Sequence, residues 1–125
     1  MNFPIQKQMT YAQKKSIYDH YAPSLNDNGA DMLAYGSFLV GYLELNEEQK
    51  ANEYMKKASS HFSEPFHVLS EYPNSNLDYN RNNNYNYLPG YASFIQSFIA
   101  GYCGMRVRDY QLDFIYSSTF QAPYD

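Results

Sequence analysis

The chain has 125 residues, enough for one domain, with a formal charge of −4 and a sequence pI of about 5.2. That balance supplies no basic field for a phosphate backbone, which excludes nucleic acid as an expected partner; Lys14-Lys15 and Lys56-Lys57 read as isolated pairs on solvated faces. The single cysteine, Cys103, excludes an internal disulfide framework and a thiolate metal cluster.

Cys103 reads as a small buried residue at a helix end, and the composition favours a reducing, cytoplasmic setting. Residues 1–8 lack the cationic start and apolar core of a signal peptide, and no apolar run reaches membrane-spanning length. Fifteen tyrosines and no tryptophan give many flat apolar faces that carry a hydroxyl, a chemistry suited to sugar.

Thr10 and Gln13 form a capping-box pair, followed by Tyr11, Ile17, Tyr18 and Tyr21 at helical spacing, so a first helix is predicted over Tyr11–Tyr21, stopped by Pro23. Met32, Tyr35, Leu39, Val40 and Leu43 then return at steps of three and four. They predict a second helix over Asp31–Glu44, buried on most sides, with Gly36 and Gly41 allowing close approach. Asn46 with Gln49 reads as a second cap. It opens a third helix over Glu47–Phe62, whose stripe of Ala51, Tyr54, Met55, Ala58 and Phe62 opposes Lys50, Glu53, Lys56 and Lys57.

A fourth helix is predicted over Tyr91–Tyr102. Phe94, Ile95, Phe98 and Ile99 make it apolar nearly all round, so it belongs inside. After Gly104 the pattern alternates from Met105 to Val107 and through Leu112, Phe114 and Tyr116, predicting a short strand pair. The expected fold is mainly α, with residues 1–104 a helical sector and residues 105–125 the start of a β segment and tail.

The order outer, inner, outer, inner puts the first and third connections at one end, and those are the long ones. Asp27, Asp31, Glu64, Glu71, Asp78 and Asn86 map to that rim. Two inner helices cannot cover each other's flanks, so the chain reads as one sector of a larger ring, open to self-association through its unburied inner helices. His20, His61 and His67 share no metal-ligand spacing, and Asn26-Asp-Asn28-Gly29 cannot supply the bidentate acid a calcium loop needs. No metal or other cofactor is expected. The tract Asn80–Asn86 reads as a disordered insertion.

Several segments, in order and at near-constant spacing, resemble glycoside hydrolase family 65, in its acid trehalase-like branch. Gly29-Ala-Asp-Met32 is similar to the family's Gly-Pro-Ala-Met helix opening, and Glu64-Pro-Phe-His-Val-Leu-Ser-Glu71 to its Glu-Pro-Phe-x-Val-Trp-Thr-Glu segment. Asn86-Tyr-Leu-Pro-Gly90 with Phe94-Ile-Gln96 resembles Asn-Phe-Leu-Thr-Gly and Phe-Leu-Gln, and Gly104-Met-Arg-Val107 resembles the Gly-Phe-Arg-Val exit. The resemblance implies a partial (α/α)6 barrel of about four helices and an inverting α-glucosidase. Its substrate would be glucosyl-galactosyl-hydroxylysine, trehalose or a similar α-glucoside.

On that resemblance Glu71 is the general base that activates water, while Asn86, Asp31 and Gln96 are substrate-binding candidates. The family's general acid comes from an earlier loop, and no position here matches it. Leu69-Ser70 stand where the family has Trp-Thr, and Ala30 where it has Pro. The alternative reading is a degenerate or interaction domain that keeps the helical sector without the chemistry.

Overall fold

The computed structural model describes residues 8–26, 31–73, 83–108 and 111–114. Its elements are α1 (Tyr11–Asn26), α2 (Met32–Glu44), α3 (Glu48–Ser59), β1 (Phe62–Ser63), β2 (Val68–Leu69) and α4 (Leu88–Gln96). A π-helical turn, Ser97–Tyr102, continues α4, and β3 (Met105–Arg108) and β4 (Gln111–Phe114) follow.

The capping box forms at the start of α1: Thr10 N–H donates to Gln13 Oε1 at 2.9 Å, and Gln13 N–H to Thr10 Oγ1 at 3.3 Å. The expected stop at Tyr21 is corrected, since α1 runs through Pro23 to Asn26. Proline costs a helix one donor and crowds the preceding turn, about 3 kcal/mol, but tertiary contact holds the last turn. Leu25 packs on the core and its carbonyl accepts from the Tyr35 hydroxyl at 3.5 Å.

Helix α2 is the centre of the core. Asp31 caps it by accepting from Leu33 N–H at 2.9 Å, and Met32, Tyr35, Leu39, Val40, Tyr42 and Leu43 are buried along it. Its two glycines are sites of close approach: a Cβ on Gly41 would meet Tyr18 Cζ at 2.0 Å, and one on Gly36 would meet Ser93 Oγ at 2.0 Å. The signal at Asn46 is corrected. Asn46 takes φ 56°, its N–H donates to Leu43 O, and Glu47 N–H donates to Tyr42 O at 2.9 Å. That pair is a Schellman closure of α2, with Asn46 in the left-handed position asparagine tolerates, so it ends one helix and does not cap the next.

Helix α3 lays Ala51, Tyr54, Met55 and Ala58 on α2. It ends at Ser59, short of the expected Phe62. Phe62 and Ser63 leave the helix to pair antiparallel with Leu69 and Val68, in a small hairpin that the sequence reading missed.

Helix α4 starts earlier than expected, with Pro89 in its first turn, where a missing N–H costs nothing. It turns its small residues, Gly90, Ser93, Ser97, Ala100 and Gly101, toward the core. Ile95 and Ile99 are left 55% and 40% exposed. The helix expected to be inside is therefore covered on one flank only. Cys103, expected to be buried, is exposed just beyond the π turn.

The strand pair forms as expected, with Met105 opposite Phe114 and Val107 opposite Leu112. Its anchor is Arg106, buried and donating to Glu44 Oε1 at 2.8 Å and to the Ala100 carbonyl. Tyr116, Asp27, Asp78 and most of the 80–86 tract's first half lie outside the described residues.

Candidate functional site

Glu71 lies against the first turn of α2, where Met32 N–H donates to its carbonyl at 3.1 Å. The reversal at Leu45–Glu47 is at the other end of that helix, about 20 Å away at 1.5 Å per residue. Both ends of this geometry agree with the rim placement read from loop lengths. Hollows lined by Asn46, Glu47 and Lys50 and by Met9, Gln13 and Ile17 sit at the far end, away from Glu71.

The backbone around Glu71 is pinned on both sides. A peptide unit is planar, so the carbonyl of one residue and the N–H of the next move together. In the Ser70–Glu71 unit, the carbonyl of Ser70 lies 3.1 Å from His61 Nδ1 and the N–H of Glu71 donates to Asn84 O at 3.0 Å. In the Glu71–Tyr72 unit, the carbonyl accepts from Met32 N–H and the N–H of Tyr72 donates to Asn83 Oδ1 at 3.1 Å. Both planes that meet at the Glu71 Cα are thus held at both ends, which fixes its φ and ψ. Asn83 completes the grip by donating from Nδ2 to Tyr72 O at 3.1 Å.

The carboxylate itself is met by Asn84, whose Nδ2 donates to Oε2. Asn83 and Asn84 belong to the tract expected to be disordered; this is a correction. The signal was hidden by composition, because a run of identical residues does not say which of them turns its amide on a neighbouring backbone.

Asp31 accepts on both oxygens: from Leu33 N–H at Oδ1 and from the Tyr87 hydroxyl at Oδ2, 3.0 Å away. Burial first, then the bond to Asp31 and the nearby charges of Asp31 and Glu71, push the Tyr87 hydroxyl up to about 12. Tyr87 therefore stays a neutral donor to Asp31. Its N–H is bound to Leu69 O at 3.1 Å, and Ser70 bridges Tyr85.

Asn86 falls between Tyr85 and Tyr87 in the left-handed region, φ 55°, with an exposed side chain beside the rim. Gln96 is exposed at the last residue of α4, about 12 Å along the axis from Leu88. The fold gathers Glu71, Asp31, Tyr87 and Asn84; it does not carry Gln96 to them. Glu64 sits in the exposed hairpin turn, 3.4 Å from His67.

His61 and Ser70, both fully buried, were missed as parts of the site. The position of His61 next to an apolar stripe was a weak hint. Among the described residues no group of three His, Cys, Asp or Glu side chains converges as metal ligands, and no helix is long and apolar enough to cross a membrane.

The chain is 29% identical to the protein-glucosylgalactosylhydroxylysine glucosidase of Danio rerio, over 91% of this chain and 16% of that protein. It is 31% identical to the protein of the same name from Gallus gallus, over 91% of this chain and 15% of that protein. It thus spans less than a fifth of the length of the curated relatives it matches. No protein-family model and no solved structure matches it.

Proposed function

We propose that this chain forms the base-bearing sector of an inverting α-glucosidase that acts on glucosyl-galactosyl-hydroxylysine or a similar α-glucoside. One observation carries the reading: Glu71 stands on a backbone pinned at both flanking peptide planes, with Asn84 on one carboxylate oxygen. A base must be held within hydrogen-bond reach of the proton it takes. With Asn84 at Oε2, Oε1 is the oxygen offered to a water.

In the reaction, Glu71 takes a proton from that water as its oxygen attacks the anomeric carbon from the face opposite the leaving group. A second carboxyl must protonate the departing oxygen, across a gap of roughly 6.5–9.5 Å that leaves room for the water. Asp31 is badly suited to that task, since both its oxygens already accept bonds. No position in this sequence matches the acid, which is left to another segment of the enzyme. The half-exposed flank of α4, with Ile95 and Ile99, is where further helices of a ring would pack. Tyr87, Asn84 and Asn86 line the edge where sugar hydroxyls would sit.

The test is to express the reading frame that contains this sequence and assay glucose release from glucosyl-galactosyl-hydroxylysine, with the anomer followed by proton NMR. Release of β-glucose that depends on Glu71 supports the proposal, and absence of release from every α-glucoside tried would overturn it.

A further inference from the structure

His61 is fully buried, follows the end of α3, and meets the Tyr35 ring edge-on, with centroids 5.4 Å apart. Its Nδ1 is 3.1 Å from the Ser70 carbonyl oxygen. A carbonyl can only accept, so Nδ1 carries the proton and Nε2 the lone pair. The backbone carbonyl of His61 in turn accepts from Ser70 N–H at 3.0 Å, and the Ser70 hydroxyl reaches the same oxygen at 3.1 Å.

Nε2 is buried and has no hydrogen-bond partner among the described residues. A buried lone pair left unpaired is costly. Packing alone would be served better by phenylalanine, which fills a similar space beside Tyr35 and carries no polar atom. What imidazole supplies here, and phenylalanine cannot, is the donor aimed at Ser70.

We propose that His61 is a positioning residue: its Nδ1–H fixes the Ser70 carbonyl, and through the rigid Ser70–Glu71 peptide unit it sets the direction in which the Glu71 side chain leaves the backbone. The functional meaning rests on Glu71 acting as the base; the geometry does not. With the carbonyl released, that plane is held only through the Glu71 N–H and Asn84 O, and it can rotate. A displacement of a catalytic group by about 1 Å costs on the order of a hundredfold in rate.

The experiment uses two variants of similar polarity that mimic different ring nitrogens. His61→Asn places an amide donor where Nδ1 stands, and His61→Gln places one near Nε2. In the 125-residue chain, the imidazole nitrogen shifts of His61 should report the Nδ1–H tautomer. His61→Asn should leave the exchange rate of the Glu71 amide and the Asn84 side-chain signals near their original values. His61→Gln should speed that exchange about tenfold or more and shift the Asn84 signals, with helical circular dichroism unchanged. In the glucosidase assay, His61→Gln should lower kcat by about ten- to a hundredfold with KM little changed, and His61→Asn should restore it.

Equal behaviour of the two variants overturns the proposal, because a merely structural role would not tell the nitrogens apart. Should neither variant fold, the tautomer of the unaltered chain decides, and an Nε2–H tautomer overturns it. Silence of the full reading frame in the glucosidase assay counts against the base assignment for Glu71 and leaves the amide-exchange comparison to judge His61.

Discussion

Asn83→Ala removes the two bonds that Asn83 makes to Tyr72, the 3.1 Å bond from Tyr72 N–H and the 3.1 Å bond to its carbonyl, and leaves the 2.6 Å bond from the Ser70 hydroxyl to that carbonyl in place. A neutral hydrogen bond contributes about 1 kcal/mol net, so the pair is worth about 2 kcal/mol if water cannot replace it. Tyr72 is half-buried, and water recovers part of that loss. The expected change is about 1.4 kcal/mol in the local opening of this segment, a tenfold change in its equilibrium. Amide hydrogen exchange at Glu71 and Tyr72 should therefore quicken about tenfold, while amides in the middle of α2 hardly change. Asn83→Asp sharpens the test. It keeps an acceptor for Tyr72 N–H but sets a carboxylate oxygen against the Tyr72 carbonyl, so it should protect no better than alanine. Exchange within twofold of the original chain in the alanine variant, or full protection in the aspartate variant, would refute the clamp.

Gly36→Ala should destabilise the chain by about 2 kcal/mol: overpacking at Ser93 Oγ and its backbone carbonyl reaches about 3 kcal/mol, and alanine's helix preference returns about 1. An unchanged or raised denaturant midpoint contradicts that packing. Burial holds the His61 imidazole below its usual value, against the opposing pull of the Ser70 and Glu71 backbone and of the Asp31 charge. The folded state then binds fewer protons than the unfolded one, so stability is full above about pH 6.5 and falls as the pH drops below it toward the lower folded value. His61→Asn should flatten that part of the stability profile, and an identical profile in the variant counts against it. The half-exposed Ile95 and Ile99 should make the 125-residue chain bind hydrophobic dyes or self-associate, and Ile95→Lys with Ile99→Lys should reduce both; a dye-silent, monodisperse monomer would show that the sector closes its own core.

Helix order and the rim were legible because they rest on long-range pattern: apolar periodicity in α2 and α3, and the contrast between long and short connections. The Thr10–Gln13 box was legible because both partners lie within one turn. Asn46 was misread for the opposite reason. Asparagine serves equally as an N-cap and as a left-handed closing residue, and only the bonds of Glu47 and Asn46 back into α2 decide between them. Pro23 shows tertiary contact outweighing a local rule, through Leu25 and Tyr35.

Within the site, Glu71 and Asp31 could be placed on the rim from the chain order. Asn83, Asn84 and His61 could not, because each acts on a backbone group or a carboxylate nine to thirteen positions away in the sequence. No periodicity announces such a contact.

The most direct measurement compares Glu71→Gln with the unaltered protein, expressed as the reading frame that contains this sequence, for turnover of glucosyl-galactosyl-hydroxylysine and for sugar binding by calorimetry. Glutamine keeps the shape and can still accept from Asn84 Nδ2, but it cannot take a proton from water. Turnover should be lost while the affinity for the sugar stays within a few fold. Turnover close to that of the unaltered protein, or release of glucose with its anomeric configuration retained, would contradict the assignment of Glu71 as the general base of an inverting hydrolysis.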